Sequence, residues 1–257
     1  MTNKTPVLEV KDLGIDFGGL TAVNNFNMEI YPHEIVGLIG PNGAGKSTVL
    51  SMISRIMKKD SGEIKIEGKT LEQWDTKELS KKIAILKQTN NINVRLTIKE
   101  IVSFGRYPHC DGKLKEEDIK YVNEAIEYMK LKDIEDRYLD EISGGQRQRA
   151  YIAMVIAQNT EYILLDEPLN NLDMKHSVEM MRVLRNLVDE LGKTVIIVMH
   201  DINFASVYSD KIVILKNGEV VHNDCTENII DKSILEDIYE IKFDIKEING
   251  DKICIYF

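Results

Sequence analysis

Features that would place the chain in a membrane or in an oxidising compartment are scarce in its sequence. It has no stretch of 18 consecutive apolar residues, so no membrane-spanning helix is predicted. No apolar segment follows Met1–Pro6, so we expect no signal peptide. The three cysteines, Cys110, Cys225 and Cys254, are far apart and form no C-x-x-C pair, which favours free thiols in a reducing compartment.

Signals for zinc and for nucleic acid are missing as well. The five histidines are scattered and lack the spacing of a zinc-ligand set. The net charge is −9 at pH 7, from 33 Lys and Arg against 42 Asp and Glu. Because a broad nucleic-acid surface needs a basic face, we expect no nucleic-acid partner. The 257 residues, 43% hydrophobic and 29% charged, suit one large or two small globular domains.

One motif organises the rest of the chain: Gly40–Thr48, which has the form G-x-x-x-x-G-K-[ST]. A buried strand is predicted before it at Ile35–Ile39, and a helix after it from Ser47. The glycines let backbone N–H groups point at an anion, and the helix start adds the positive end of its dipole. Lys46 supplies a charge for the β- and γ-phosphates, and the Ser47 hydroxyl can ligate Mg²⁺. A chance match is disfavoured because strand, loop and helix occur in this order. We therefore predict nucleoside triphosphate binding, with contacts from Asn42, Gly43, Gly45, Lys46, Ser47 and Thr48.

A pair of carboxylates follows a second apolar strand, which is predicted at Glu161–Leu165. In a protein with a phosphate loop, a carboxylate at the end of a neighbouring strand holds Mg²⁺, directly or through water, and Asp166 fits that role. Glu167, one residue further on, can polarise a water for attack on the γ-phosphate. A solvated strand end is the alternative interpretation, and the presence of the phosphate loop disfavours it.

Several other polar positions are weaker signals when each is taken alone. Gln88 follows a short apolar strand, and His200 follows the buried strand Thr194–Met199, where a side chain would point to a ligand crevice. Ser143–Gln146 begins a predicted helix and is a second candidate for anion binding. For Gln88 and His200, a solvated loop or a turn is the favoured interpretation in isolation, whereas for Ser143–Gln146 a simple helix cap is the alternative. Phe17 precedes two glycines, and its position alone favours a buried core residue.

The segment from Leu96 to about Asp140 changes in character. Thr97 is predicted to cap a helix, Lys115–Met129 has apolar residues at helical spacing, and Ile134–Leu139 is also predicted to be helical. A helical subdomain inserted between strands is therefore predicted.

Taken together and in this order, the motifs resemble the ATP-binding subunit of ABC transporters over nearly the whole chain. The Ser-Gly-Gly-Gln motif, about 20 residues before the Asp-Glu pair, is the most specific of them. The resemblance implies that Phe17 stacks on adenine, which reverses the preference for a core residue. It further implies that the γ-phosphate bound by the opposite subunit is clamped by Ser143, Gly144, Gly145 and Gln146.

The resemblance also assigns the catalytic and metal-binding positions. Glu167 matches the catalytic base, His200 the switch histidine and Asp173 a residue of the inter-subunit loop. Gln88 matches a residue that contacts Mg²⁺ and senses the membrane partner. The implied magnesium positions are Ser47, Gln88 and Asp166, with ATP as the nucleotide.

The architecture implied is an α/β fold with a P-loop NTPase core, in which a mixed sheet is flanked by helices, together with an N-terminal antiparallel β subdomain and a helical subdomain. The expected divisions are a core with the β subdomain at 7–95 and 160–222, a helical subdomain at 96–159, and a C-terminal helix and hairpin at 223–257. Two copies are expected to pack head to tail around ATP, so that a lone subunit hydrolyses poorly. Other implied partners are membrane permease subunits and, indirectly, an extracytoplasmic substrate-binding protein. The implied location is the cytoplasmic face of a bacterial-type cell membrane, as a peripheral subunit.

Two stretches favour a subfamily. Leu96–His109 and Asp166–Asp173 resemble the ATPases of iron-siderophore importers, and the region Gln88–Asp140 faces the permease in the family. Siderophore import is therefore the favoured function. Residues before about 50, including Phe17–Phe26, look more like ATPases of branched-chain amino-acid importers, which natural drift or a chimera would explain. The alternatives are another importer of that kind, a non-transport ABC ATPase or a binding module without turnover.

Overall fold

The computed structural model describes residues 5–88, 94–110, 112–170 and 172–256. The described residues contain twelve strands: β1 (Leu8–Phe17), β2 (Leu20–Ile30), β3 (Ile35–Ile39), β4 (Ser61–Ile66), β5 (Lys69–Thr70), β6 (Ile83–Leu86), β7 (Tyr162–Asp166), β8 (Thr194–Val198), β9 (Lys211–Lys216), β10 (Glu219–Cys225), β11 (Asp244–Ile248) and β12 (Asp251–Ile255). The same residues contain ten α-helices: α1 (Lys46–Ile53), α2 (Thr76–Lys82), α3 (Ile98–Phe104), α4 (Tyr107–Cys110), α5 (Glu116–Tyr128), α6 (Gly144–Gln158), α7 (Met174–Asp189), α8 (Ile202–Tyr208), α9 (Thr226–Ile229) and α10 (Lys232–Tyr239).

The chain divides into two compact units. The first comprises Met1–Trp74 together with Arg185–Phe257, and the second comprises Asp75–Leu184. The finer division into core, helical subdomain and C-terminal segment stays a prediction. No described helix combines a membrane-spanning length with an apolar composition.

An antiparallel sheet forms the N-terminal part of the first unit, in the order β2-β1-β4-β5. Leu8 pairs with Ile30 on one side and with Ile66 on the other, and all three side chains are fully buried. Along β1 the buried side chains are Leu8 and Val10 and, beyond an irregularity at Lys11 and Asp12, Leu13 and Ile15, as expected for a sheet with one buried face. The predicted antiparallel β subdomain is confirmed.

A second, mixed sheet contributes strands β3, β8, β9 and β10 to the first unit, and β11 and β12 form a separate antiparallel pair. Strand β3 pairs in parallel with β8 and with β9, and β10 pairs antiparallel with β9 through a turn at Asn217-Gly218. All five residues of β3 and of β8 are buried, which explains why both strands are continuously apolar rather than alternating. In the second unit, β6 and β7 also pair in parallel. The predicted α/β fold class is confirmed.

Helices α3, α5 and α6 pack against each other in the second unit. Gly105, at the end of α3, approaches α6 so closely that a Cβ atom there would lie 2.1 Å from the Met154 carbonyl oxygen. Thr97 caps α3 as predicted and forms a capping box with Glu100. A buried ion pair joins Arg106 to Asp118 at 3.0 Å.

The prediction of a helix at Ile134–Leu139 is wrong. Only short 3₁₀ turns occur nearby, at Lys132–Ile134 and Leu139–Glu141. Two carbonyl groups of the segment, those of Glu135 and Arg137, accept hydrogen bonds from the first N–H groups of α3. They satisfy the free donors of that helix start instead of continuing a helix of their own.

Candidate functional site

The phosphate loop lies in the first unit between β3 and α1. Gly40 has φ +135°, and a Cβ atom on it would lie 2.0 Å from the Leu215 carbonyl oxygen. Gly45 has φ +97°, and a Cβ atom there would lie 2.6 Å from the Ala22 carbonyl oxygen. Neither position has room for a side chain, and both have a backbone conformation that favours glycine. The close packing of strands β2 and β9 therefore fixes both ends of the loop.

Lys46 occupies the centre of this loop. Its side chain is only 5% exposed, and its Nζ donates hydrogen bonds of 2.8 Å to the carbonyl oxygens of Gly40 and Pro41. A buried ammonium group needs such partners because its desolvation is costly. The first turn of α1 carries no acidic side chain, so the positive charge and the helix start act together. This arrangement suits a phosphate group.

Phe17 lies in the same unit at the tip of the β1–β2 hairpin and is 50% exposed. The core position that its place in the sequence favoured is therefore wrong. The two-residue turn that follows, Gly18-Gly19, has positive φ at both residues and carries the ring to the surface. Because β2 touches the loop through Ala22, the hairpin with its exposed aromatic ring adjoins the phosphate loop.

His200 lies two residues beyond the end of the first unit's strand β8 and is exposed. The next residue, Asp201, caps helix α8 by accepting hydrogen bonds from the backbone N–H groups of Asn203 and Phe204. The histidine is thus held at a strand end by a capped helix, as its sequence position predicted.

Glu167 is the centre of the second unit's polar cluster. It follows the fully buried strand β7, whose last residue, Asp166, is 7% exposed. The Gln88 side-chain amide donates a hydrogen bond of 2.6 Å to Glu167 Oε2, and the Asn170 amide donates to the same oxygen. Glu167 also has φ +51°, a left-handed conformation that an L-residue adopts at an energetic cost. Two donors on one oxygen orient the carboxylate.

Asn170 is a candidate functional residue that the sequence analysis did not single out. It lies three residues after Glu167 in a turn closed by a bond from its own N–H to the Glu167 carbonyl oxygen. The signal in the sequence is the turn Pro168–Asp173 that follows the carboxylate pair. Asn171, in the same turn, lies outside the described residues.

Ser143 and Gln146 form a reciprocal cap at the start of α6. The Gln146 N–H donates to Ser143 Oγ at 3.2 Å, and the Ser143 N–H donates to Gln146 Oε1 at 2.9 Å. Ser143 and Gly144 are exposed, and a Cβ atom on Gly144 would meet no atom within 4 Å. The first turn of this 15-residue helix has no acidic residue. The motif therefore presents an ordered helix N-terminus at the surface.

Asp173 lies near this helix start. Its Oδ1 accepts hydrogen bonds of 2.9 Å from the backbone N–H and from the ring of His176, and the backbone bond lowers the pKa of Asp173. Leu172 packs 3.5 Å from the Cβ position of Gly145, and the Gln148 amide donates to the Pro168 carbonyl oxygen. The second unit thus brings the turn after Glu167 against the start of α6.

A metal ion of the magnesium type fits the donor chemistry of the predicted ligands. Ser47, Gln88 and Asp166 offer a hydroxyl, an amide and a carboxylate oxygen, which are hard donors. Gln88 binds Glu167 through its amide nitrogen, which is distinct from its oxygen. Among the described residues, no group of three or more His, Cys, Asp or Glu side chains could hold a metal. Mg²⁺ needs no such group, because it keeps several waters and binds substrate phosphates.

The second unit also carries an open groove of about 820 Å³ beside helices α3 and α5. Its apolar lining includes Phe104, Tyr107, Leu114 and Ile119, each at least 40% exposed. Large apolar side chains grouped at a surface are suited to burial against a partner.

Comparison with known proteins agrees with these motifs. A family model described as ABC transporter matches residues 23–170. The petrobactin import ATP-binding protein YclP of Bacillus subtilis is 57% identical over 251 residues, which cover 98% of this chain and 100% of that protein. The iron(3+)-hydroxamate import ATP-binding protein FhuC of the same organism is 39% identical, covering 93% and 89% of the two chains. The dimeric, post-hydrolysis structure of the ATP-binding cassette MJ0796, bound to ADP and Pi, matches with a TM-score of 0.76 at 33% identity, covering 85% of this chain and 98% of that one.

Proposed function

The chain belongs to the ABC transporter family and hydrolyses ATP, and from this premise we propose that it powers the import of an iron-siderophore complex through a membrane permease. The observation that carries the substrate class is the 57% identity with a petrobactin import subunit over that protein's full length. A second relative, named for hydroxamate import, extends the likeness to another iron-chelate class. The transported substrate is therefore an iron chelate, which binds to the permease rather than to this chain.

The motifs assign a role in the reaction to residues of both units. Lys46 binds the β- and γ-phosphates, and Phe17 stacks on the adenine. Glu167 accepts a hydrogen bond from the attacking water and orients it, while Gln88 and Asn170 hold the carboxylate. His200 contacts the γ-phosphate. Ser47, Asp166 and Gln88 would hold Mg²⁺, which would supply neutralisation of the phosphate charge.

The active assembly contains two cassettes. ABC cassettes form dimers and work with membrane permease components. We propose that the exposed Ser143–Gln146 helix start of one copy completes the phosphate site of the other, because its N–H groups and dipole favour a phosphate. The cap between Ser143 and Gln146 orders that helix start in advance.

The permease contact is proposed at the apolar groove of the second unit. The groove lies within the region that resembles the permease-facing part of siderophore importers, and its exposed Phe104 and Tyr107 are suited to bury against a partner. This contact would place the chain at the cytoplasmic face of the membrane as a peripheral subunit. An extracytoplasmic substrate-binding protein would deliver the iron chelate to the permease.

The experiment that tests the function is co-purification with the candidate permease, followed by ATPase assays of the complex in liposomes. Ferric petrobactin and ferric hydroxamates, each with the matching binding protein, are expected to stimulate hydrolysis. Branched-chain amino acids with their own binding protein are the matched control. Stimulation by the amino acids alone would contradict the proposed cargo, and hydrolysis indifferent to Glu167→Gln would contradict the catalytic assignment.

A further inference from the structure

The buried guanidinium group of Arg106 has no part in the proposed reaction. Arg106 is 4% exposed and lies in the short connection between α3 and α4. Its Nη1 donates hydrogen bonds to the carbonyl oxygens of Ala157, at 2.8 Å, and of Gln158, at 3.4 Å. These are the last two residues of α6, and the final carbonyl groups of a helix find no partner within it. Arg106 therefore caps the C-terminal end of the helix whose other end is the Ser143–Gln146 motif.

The Arg106 side chain is itself fixed from two other directions. Its Nε donates a 3.0 Å hydrogen bond to Asp118 Oδ1, and its guanidinium carbon lies 4.3 Å from the ring centroid of Tyr121. The other carboxylate oxygen of Asp118 accepts the Lys115 N–H at the start of α5. Asp118 is 4% exposed, so the ion pair is shielded from water. Because a carboxylate and an aromatic ring hold the cation in one place, the carbonyl groups that it binds are fixed as well.

Gln158 joins the end of α6 to further segments of the second unit. Its carbonyl oxygen lies 2.9 Å from His109 Nε2, and since a carbonyl group can only accept, the ring nitrogen donates. Its side-chain amide donates to the carbonyl oxygens of Ser80 and Ile83, at 2.5 and 3.1 Å. Residues of α2, β6 and α4 therefore hold the same end of the helix that Arg106 caps.

The two ends of α6 have opposite electrostatic surroundings. The buried guanidinium group lies at the negative end of the helix dipole, which it stabilises, whereas the positive end is exposed and has no acidic residue in its first turn. The 15 residues of α6 span about 20 Å, so a tilt of about 5° at the held end moves the exposed end by about 2 Å. A displacement of that size is enough to disturb a contact with a reacting phosphate group.

We propose that Arg106, assisted by His109, is a positioning residue for the ATP that the second copy of the chain binds. By fixing the C-terminal end of α6, it sets the place of the exposed Ser143–Gln146 start against the γ-phosphate on the partner. The inference rests on the proposed assembly of two cassettes. Arg106 should therefore affect closure of the dimer around ATP. The affinity of a separate subunit for nucleotide should not depend on it, because the phosphate loop belongs to the other unit.

The test uses the full-length chain carrying Glu167→Gln, which is expected to close around ATP without hydrolysing it, as the parent. Arg106→Lys keeps the charge but lacks the planar fork that binds Asp118 and both carbonyl groups. Sedimentation with saturating ATP and Mg²⁺ measures the dissociation constant of the dimer. Titration of dilute, monomeric chain with a fluorescent ATP analogue measures nucleotide affinity. Arg106→Lys is expected to raise the dimer dissociation constant about tenfold or more and to leave the monomer affinity unchanged.

Arg185→Lys in the same parent chain is the matched control. Arg185 is also an arginine with several partners, which are the carboxylates of Asp189 and Asp210 and the Tyr208 carbonyl oxygen. All of them belong to the first unit, whereas α6 belongs to the second. Both measured constants of this variant should therefore match those of the parent.

His109→Ala removes only the half-buried second donor to the Gln158 carbonyl oxygen. It is expected to raise the dimer dissociation constant about two- to tenfold, the range for a single neutral hydrogen bond. Thermal melting shows whether each variant is folded. Where Arg106→Lys does not fold, an unchanged dimer constant in His109→Ala overturns the inference.

Two results with folded Arg106→Lys also overturn the inference. The first is a dimer dissociation constant equal to that of the parent. The second is an equal loss of nucleotide affinity in the monomer, because a general loss of structure would then be the cause. A parent chain that stays monomeric with saturating ATP and Mg²⁺ overturns the proposed assembly instead.

Discussion

The amide nitrogen of Gln88 donates a 2.6 Å hydrogen bond to the Oε2 atom of Glu167, 79 residues further along the chain. The same oxygen accepts the Asn170 amide. In the proposed mechanism Gln88 also senses the membrane partner, so this bond links a residue expected to move with the permease to the carboxylate expected to orient the attacking water. The orientation of Glu167 therefore depends on two amides, of which only that of Gln88 is also expected to respond to the membrane partner.

Replacing Glu167 by Gln is expected to slow ATP hydrolysis about 10²- to 10⁴-fold, the range for loss of a general base. Nucleotide binding should persist, because the phosphate loop is unchanged. The trapped ATP-bound dimer is measured by size-exclusion chromatography with saturating ATP and Mg²⁺. The control is Glu161→Gln. Glu161 directly precedes β7 and pairs with Lys82, so this variant should behave as wild type. A Glu167→Gln variant that remains monomeric would contradict the dimer proposal.

Asn170→Ala removes one of the two donors to the Glu167 carboxylate. A hydrogen bond to a charged group contributes about 1.5–3 kcal/mol, so kcat is expected to fall about tenfold or more while KM for ATP changes little. Steady-state kinetics of the assembled transporter measure the two constants separately. Asn228→Ala removes a surface amide that binds Asp224 and serves as the control. A rise in KM with unchanged kcat would show that Asn170 acts in binding rather than in orientation.

Two loop glycines are predicted to differ in their tolerance of alanine. Gly40→Ala forces a Cβ atom against the Leu215 carbonyl oxygen, so the loop must shift and both stability and nucleotide affinity should fall. Gly43 has φ +78° but no atom within 4 Å of its Cβ position. Gly43→Ala should therefore lower the free energy of unfolding only by the backbone strain of about 1–2 kcal/mol. Urea unfolding and titration with an ATP analogue measure both effects. Equal destabilisation of the two variants would contradict the predicted steric clash at Gly40.

The stability of the second unit is expected to depend on pH through Asp118. A hydrogen bond from the Lys115 backbone N–H, aided by Arg106, lowers the pKa of Asp118, whereas its burial opposes the shift. Since the folded-state pKa lies below the unfolded value of about 3.9, the stabilisation is present above that pH and is lost as the pH falls through the folded pKa.

The corresponding measurement is chemical unfolding of wild type and Asp118→Asn between pH 7 and pH 3. The variant should be less stable at pH 7, because Arg106 would remain buried without its charged partner. The difference between the two proteins should begin to shrink below about pH 4, where the Asp118 carboxyl of the unfolded chain starts to gain its proton. A difference that stays constant over this range would show that the charge of Asp118 does not matter.

Much of the fold and of the candidate site follows from local patterns. The loop around Lys46, the buried strands before it and before Asp166, and the capped helix after Ser143 are each encoded in a few adjacent residues. At these places the types of side chain and their spacing along the chain indicate the chemistry. Comparison with relatives supports the family, whereas the role of each residue stays a prediction.

What the sequence did not reveal depends on contacts between distant segments. Phe17 is apolar, yet a glycine turn carries it to the surface, and no local pattern distinguishes that from a core position. Ile134–Leu139 has helical character but gives its carbonyl groups to the start of α3. The role of the Asn170 amide becomes visible only once the fold brings it to the Glu167 carboxylate.

The left-handed backbone at Glu167 also affects how this protein can change over generations. Glycine or asparagine would accept φ +51° with about 1–2 kcal/mol less backbone strain. Each would also remove the carboxylate. The carboxylate also accepts hydrogen bonds from Gln88 and Asn170, so selection for ATP hydrolysis should retain glutamate despite the strained backbone. At this position, backbone strain and catalytic function favour different residues.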